Sequence, residues 1–253
     1  MTAPLALVSG GQQGIGLGIT KALAANGFRV AIASLPPPDD PTVAQALASL
    51  GPDALYHQHD LADLAAIPAL LDRIEAAQGP VDALIQNAGV AAKVRGDMLD
   101  LTPENLDWIL RINLSGGFFL AQEVARRMLA LPSPHYRSIT FVTSVSARMA
   151  SPDRADYCIS KAAASMAAQT LALRLAPHGI GVFELRPGII ETAMTGPVKE
   201  KYDARIADGL VPMGRWGQPA DIGQVVIPLV TGQMAFATGA VIPVDGGLSI
   251  ERL

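Results

Sequence analysis

Short apolar runs alternate along the chain with longer stretches in which apolar positions recur every three or four residues. Leu5–Ser9, Arg29–Ser34, Ala54–His59, Ala83–Asn87, Ser138–Thr143, Gly181–Arg186 and Gly239–Val244 read as strands. Gly14–Asn26, Thr42–Leu50, Leu64–Gln78, Leu114–Leu131, Asp156–Leu175 and Asp221–Val230 read as helices, and another starts at Thr102-Pro103-Glu104. Asn26-Gly27 is a C-cap signal, and Pro103 suits a first helical turn. The PPPDDP run from Pro36 to Pro41 is a turn or loop. Strands that are apolar throughout, separated by helices, predict a parallel sheet covered on both faces. Right-handed crossovers then give a doubly wound sheet. The fold class expected is therefore α/β, a single domain over residues 1–253 with no internal repeat and no dividing linker.

Composition narrows the setting. Of 253 residues, 50% are hydrophobic and 17% charged, against about 25% charged in ordinary domains. Such a chain can bury a large core and further surface against copies of itself. The net charge is -4, with no basic block and few aromatic residues, which argues against nucleic acid as a partner. Cys158 is the only cysteine, so an intrachain disulfide is impossible, which fits a reducing compartment. The opening MTAPLALVSGG has no basic region before its apolar run. No signal peptide is expected, and the expected location is cytoplasmic. Ile222–Val244 lacks charge and is long enough to span a bilayer, but Gly223, Pro228, Gly232 and Gly239 break it. It reads as a buried helix, turn and strand rather than a membrane span.

In doubly wound sheets, ligands sit beyond the carboxyl ends of the strands. The first such exit is SGGQQGIGLG, with Gly10-x-x-x-Gly14-x-Gly16. Glycines there let the backbone approach a pyrophosphate, and the helix start supplies amide donors; a tight strand-to-helix connection is the plain alternative. Tyr157 and Lys161, four apart in YCISK, share one helical face. A free phenol ionises near pH 10, and an ammonium beside it favours the phenolate. Such a group can exchange a proton near neutral pH. Otherwise the pair is an exposed tyrosine and a solvated lysine.

Asn113 stands inside an apolar helix, where an asparagine is costly unless its polar atoms are partnered. Ser144 sits at a strand exit, with Ser146 as a nearby competitor. Asp60-Leu61 follows the third strand, where an aspartate can also be a simple turn residue. Asn87 can tether neighbouring strand ends. His57-x-His59 offers only two metal ligands and reads as a surface pair at a strand end, so no metal is expected. Cys158 has no histidine partner and reads as a buried small residue. No G-x-S-x-G occurs and the histidines are scattered, which argues against a serine hydrolase.

These motifs together, in this order, resemble the short-chain dehydrogenase/reductase family. Its TGxxxGIG loop is matched at Gly10, Gly14, Ile15 and Gly16, with Ser9 replacing the threonine. Its NNAG is matched at Asn87, Ala88 and Gly89, with Gln86 replacing the first asparagine. Asp60, Asn113, Ser144, Tyr157, Lys161 and the RPGIIET segment complete the set. The resemblance covers nearly the whole chain, up to Asp245-Gly246-Gly247, and is similar to members called 3-oxoacyl-acyl-carrier reductases.

The resemblance implies a Rossmann-type fold and an NAD(P)-dependent oxidoreductase interconverting a ketone, or a 3-oxoacyl group, and a secondary alcohol. Tyr157 is the implied general acid/base, with Lys161 tuning it and holding the nicotinamide ribose. Ser144 orients the substrate oxygen, and Asn113 holds a water in a proton relay. The implied cofactor contacts are Gly10, Gln13, Gly14, Ile15 and Gly16, then Ser34 at the adenosine ribose and Asp60 with Leu61 at the adenine. Asn87, Ala88 and Gly89 border the cofactor, as do Pro187, Gly188, Ile190 and Thr192 near its nicotinamide.

Ser34-Leu35-Pro36 ends the second strand with neither a carboxylate for NAD nor an arginine for NADP. Both cofactors stay open, with a lean to NAD because no cation awaits the extra phosphate. Residues 192–211 are expected to form a loop and short helix over the substrate, where Met194, Val198, Tyr202, Ile206 and Leu210 recur at helical spacing as one amphipathic face. Lys199, Lys201 and Arg205 there are either solvated or set to meet an acidic carrier. The expected partners are a small ketone or alcohol and further copies of the chain, as a homotetramer. The rival expectation is a catalytically silent nucleotide-binding regulator or scaffold of the same fold.

Overall fold

Seven strands pair in parallel into one sheet, in a computed structural model that describes residues 2–252. They are β1 (Leu5–Ser9), β2 (Arg29–Ser34), β3 (Ala54–Gln58), β4 (Ala83–Gln86), β5 (Ser138–Val142), β6 (Gly181–Pro187) and β7 (Val241–Val244). The helices are α1 (Gly14–Ala25), α2 (Pro41–Leu50), α3 (Ile67–Gln78), α4 (Pro103–Leu110), α5 (Gly117–Ala130), α6 (Ala155–Leu175), α7 (Lys199–Ala207) and α8 (Pro219–Val230). The strand order is β3-β2-β1-β4-β5-β6-β7. Leu7 of the central strand pairs with Ala31 on one side and Leu84 on the other. The expected Rossmann-type doubly wound sheet is therefore present.

Strand alternation divides the core. Leu5 and Leu7 of β1 point to one face, where they pack with Leu70 and Ile74 of α3, Leu120 and Val124 of α5, and Ala168 and Ala172 of α6. Ala6 and Val8 point to the other face, against Ile19 and Leu23 of α1 and Ile222, Val226 and Leu229 of α8. Each fully buried aliphatic side chain stabilises the fold by roughly 1.5–3 kcal/mol. The sheet is apolar on both faces because both are covered.

Local chemistry sets the helix starts. Asp40 caps α2 by accepting from the Thr42 amide at 2.8 Å, with Pro41 in the first turn, so α2 begins one residue earlier than expected. Thr102 caps α4 ahead of Pro103. At α8, Asp221 accepts from the Gln218 amide at 2.7 Å and pairs with Arg215 at 2.7 Å. Among the described residues no helix is long and apolar enough to cross a membrane.

The short helix expected within residues 192–211 is α7, preceded by a 3-10 turn over Gly196–Val198. Three expectations need correction. The helix expected over Leu114–Leu131 is interrupted, because Arg111–Gly116 forms a π turn between α4 and α5. Gly116 and Gly117, where it meets α5, let the backbone pack closely: a Cβ would lie 2.4 Å from Leu61 O or Gln86 Nε2, respectively. His59 is buried and His57 partly buried, so they are not a surface pair. Cys158 is half-buried rather than buried, its Sγ 3.9 Å from the carbonyls of Met149 and Ser151.

Candidate active site

The crossovers diverge between β1 and β4. The chain leaves β1 into α1 on one face and reaches α5 on the other, which opens a crevice at the strand exits. Ser9 to Gly16 forms one wall. Gly10 and Gly14 adopt φ of 67° and 53°, a region that glycine enters without strain. A Cβ on Gly16 would lie 2.0 Å from Gly10 O, so the loop and the start of α1 can meet only without a side chain there.

The floor is a hydrogen-bonded knot. Ser9 Oγ donates to Gln86 Oε1 at 2.6 Å and accepts from the amides of Asn87 and Ala88, both at 3.0 Å. Asn87 Nδ2 donates to the carbonyls of Ser9 at 3.0 Å and Gly10 at 3.2 Å. Asn87 is thus the tether between strand ends, and Asn87–Gly89 also line the crevice.

Asn113, on the π turn, is fully partnered. Its Oδ1 accepts from Val90 N at 2.7 Å, and its Nδ2 donates to Val90 O at 3.0 Å and Ser160 Oγ at 3.1 Å. A Cβ on Gly89 would lie 3.0 Å from Asn113 Oδ1 and 3.4 Å from Lys161 Nζ, so that glycine leaves room for both.

Lys161 is buried, which excludes the solvated-lysine alternative. Its ammonium donates to Val142 O at 3.2 Å and lies 5.7 Å from the Tyr157 ring centroid. An ammonium carries three donors, and Val142 O is its one acceptor among the described residues. A buried charge so sparsely satisfied suits a polar ligand. Tyr157 is half-buried, and its hydroxyl makes no hydrogen bond among the described residues.

Two cavities meet at Tyr157. A cleft of about 410 Å³ runs from Ser34 and Asp60 past the glycine loop to Tyr157, Lys161 and Thr192. A smaller cavity of about 120 Å³ is bordered by Ser144, Tyr157, Pro187, Gly188 and Ile190. Ser144 Oγ accepts from the Ser146 amide at 3.0 Å, which leaves its own hydroxyl proton free to donate. Ser146 does not border the small cavity, so position favours Ser144 of the two serines.

Every residue expected at the cofactor therefore borders one cavity or the other. Asp60 also accepts from the Ala62 amide at 2.8 Å, so it is a turn residue as well. His59 and Thr143 line the cleft too and were not expected there. Their only sequence signal is position, one residue before Asp60 and Ser144. Burial pushes the His59 imidazolium below its usual ionisation range, against the pull of Asp60 and Asp63. The ring is consequently neutral at pH 7.

The cleft fits a dinucleotide. Its volume lies within the roughly 300–1,000 Å³ of ligand pockets. Its glycines clear the backbone, and α1 begins there with no acidic residue in its first turn. Gln12 Oε1 and His59 Nε2 are buried at its wall without partners. No cluster of metal-ligating side chains occurs among the described residues.

Comparison with known proteins agrees. A family model described as enoyl-(acyl carrier protein) reductase matches residues 10–249. A 3-oxoacyl-[acyl-carrier-protein] reductase of Mycobacterium tuberculosis is 32% identical over 248 residues, 96% of this chain and 92% of its own. Galactitol 2-dehydrogenase of Agrobacterium fabrum is 32% identical over 259 residues, with 96% of each chain covered. The crystal structure of 3-oxoacyl-[acyl-carrier protein] reductase from Brucella melitensis in complex with NAD has a TM-score of 0.96 and 48% identity, with 100% of both chains covered.

Proposed function

The chain belongs to the short-chain dehydrogenase/reductase family, and on that premise we propose that it interconverts a ketone, or a 3-oxoacyl group, and a secondary alcohol. It is an oxidoreductase that uses NAD or NADP. The observation that carries the proposal is the placement of Tyr157. The phenol borders both the long cleft and the small cavity, with the Lys161 ammonium beside it.

A nicotinamide bound in the cleft supplies or accepts the hydride. The chain does the rest. Tyr157 gives its hydroxyl proton to the carbonyl oxygen during reduction, or takes the alcohol proton during oxidation. Ser144 donates to the same oxygen and fixes its direction. Lys161 sets its ammonium beside the Tyr157 ring and offers its free donors to the nicotinamide ribose. Asn113 holds the Gly89–Val90 turn against Lys161, and with its side chain so engaged its part in a proton relay is to position that lysine.

Gly10, Gln13, Gly14 and Ile15 are placed for the pyrophosphate, with Gly16 allowing the close packing behind them. Ser34, Asp60 and Leu61 serve the adenosine end, and Asn87, Ala88 and Gly89 the middle. Pro187, Gly188, Ile190 and Thr192 serve the nicotinamide end. No lysine or arginine lines the long cleft at Ser34, and the neighbouring His59 is neutral, so the extra phosphate of NADP finds no cation there. NAD is the preferred cofactor in this proposal.

Assembly is part of the same proposal. Ile159, Met166 and Leu173 recur every seven residues on α6 and are exposed, with Phe119 of α5 also exposed. An apolar stripe at that spacing suits packing against a second copy, in keeping with a homotetramer.

A panel of ketones and secondary alcohols assayed with NADH, NADPH, NAD and NADP tests the enzyme. Substrate-dependent change in cofactor absorbance is expected, faster with NADH than NADPH. Tight cofactor binding with no turnover of any substrate would instead leave the silent regulator or scaffold.

A further inference from the structure

Arginine rarely leaves its guanidinium without acceptors when water is partly excluded, because five donors then go unsatisfied. Most of the chain's arginines obey this. Arg127 reaches Asp72, Glu75 and Glu123; Arg215 pairs with Asp221, and Arg186 with Glu184. Four side chains, Arg73, Arg95, Arg154 and Arg205, make neither a hydrogen bond nor an ion pair among the described residues; three of them are exposed to water, and Arg154 alone is half-buried. Three of these four line one cleft.

That cleft, of about 440 Å³, opens from the small cavity beside Tyr157 and is bordered by Arg95, Arg154, Lys201 and Arg205. Its one acidic side chain is Asp153, in a chain whose net charge is -4. Arg95 and Arg154 border the small cavity as well, together with Ser144 and Tyr157. They are held near each other, because the Gly96 amide donates to Asp153 O at 3.2 Å. Arg154 is half-buried, and its guanidinium carbon lies 5.6 Å from the Tyr157 ring centroid.

We propose that the substrate is a small oxo acid, or its hydroxy acid, whose carboxylate is held by Arg154 with Arg95 as a second cation at the cavity mouth. This rests on the oxidoreductase function proposed for Tyr157. The carboxylate stays unchanged. The carbonyl carbon gains the hydride from NADH and its oxygen the proton from Tyr157, so that each turnover yields one hydroxy acid and one NAD. A planar, forked guanidinium matches a carboxylate at both oxygens. Its distance from the Tyr157 ring limits the carboxylate to a few carbon atoms from the reacting carbonyl.

The test uses pyruvate, acetoacetate and levulinate, each beside its methyl ester, with NADH and the full-length protein. At least one acid is expected to exceed its ester in kcat/KM by about tenfold or more, the size of a charge-assisted hydrogen bond. Arg154→Gln should collapse that acid-to-ester ratio, chiefly through KM, and Arg154→Lys should restore part of it. NADH binding by each variant reports an intact cleft. Equal use of acids and esters overturns the inference, as does a preference that survives Arg154→Gln. So does stronger use of an acyl-carrier thioester than of any free acid. Should no carbonyl compound be reduced at all, the oxidoreductase function fails separately. The anion site is then judged by thermal shift of the NAD-bound protein with the same acids. An Arg154-dependent rise in Tm keeps the site, and no rise removes it.

Discussion

Ser9 donates its hydroxyl to Gln86 at 2.6 Å. These are the two positions where the glycine loop and the QNAG segment depart from the family's motifs, and they meet each other. The same oxygen of Ser9 accepts the amides of Asn87 and Ala88. Ser9→Ala therefore leaves two backbone donors without an acceptor and is expected to cost about 1–3 kcal/mol. Urea denaturation of Ser9→Ala, Gln86→Leu and the double variant measures it. The double variant should cost less than the two singles summed, because both remove one contact; strict additivity would mean the pair is not coupled.

Glu184 is buried on β6 and accepts from Thr143 at 2.6 Å, Ser165 at 2.7 Å and Arg186 at 2.8 Å. It joins α6 and β6 to Thr143, the residue between β5 and Ser144. Glu184→Ala strands the Arg186 charge and two hydroxyls, for an expected loss of about 3–5 kcal/mol. A stability change under 1 kcal/mol, on the order of a surface pair, would show that the network is dispensable.

Tyr157→Phe removes one oxygen and keeps the ring that walls both cavities. Turnover is expected to fall by about 10²–10⁴-fold, the usual share of a general acid or base, while NADH binding is largely retained. Stopped-flow binding and steady-state assays separate the two. Unchanged turnover would remove Tyr157 from proton transfer.

Arg215 donates to Asp221 at 2.7 Å and, with the Gln218 amide, holds its carboxyl below the usual carboxylate range. A lowered folded-state value means stability that is present above the unfolded value near pH 4 and lost as pH falls through the folded one. Wild type should therefore melt above Asp221→Asn at pH 7, and the gap in Tm should close under acid. A gap that widens on acidification would contradict the assignment.

Much of the fold is legible because its causes are local. β1 and β2 follow apolar runs, and α4 follows Thr102-Pro103, where a cap and a first-turn proline act within a few residues. The π turn at Arg111–Gly116 is not legible, since RINLSG reads as ordinary helix and its close neighbours Leu61 and Gln86 are far away in the chain. The burial of His59 is hidden for a related reason: it takes a neighbouring strand and the crevice wall to exclude water. The site shows the same division. Glycines, Tyr157 and Lys161 announce themselves by spacing, whereas Thr143 matters through Glu184 on another strand. Arg154 carries no motif and stands out only once its lack of partners can be seen.

Tyr157 borders both the long cleft and the small cavity, and a site approached from two fixed sides has a handedness. A flat carbonyl held against Tyr157 from the small cavity, with Ser144 on its oxygen, can turn only one of its two faces toward the long cleft. The alcohol made there would be a single enantiomer, selected by the fixed sides from which hydride and proton arrive, and its mirror image would be refused in the reverse direction.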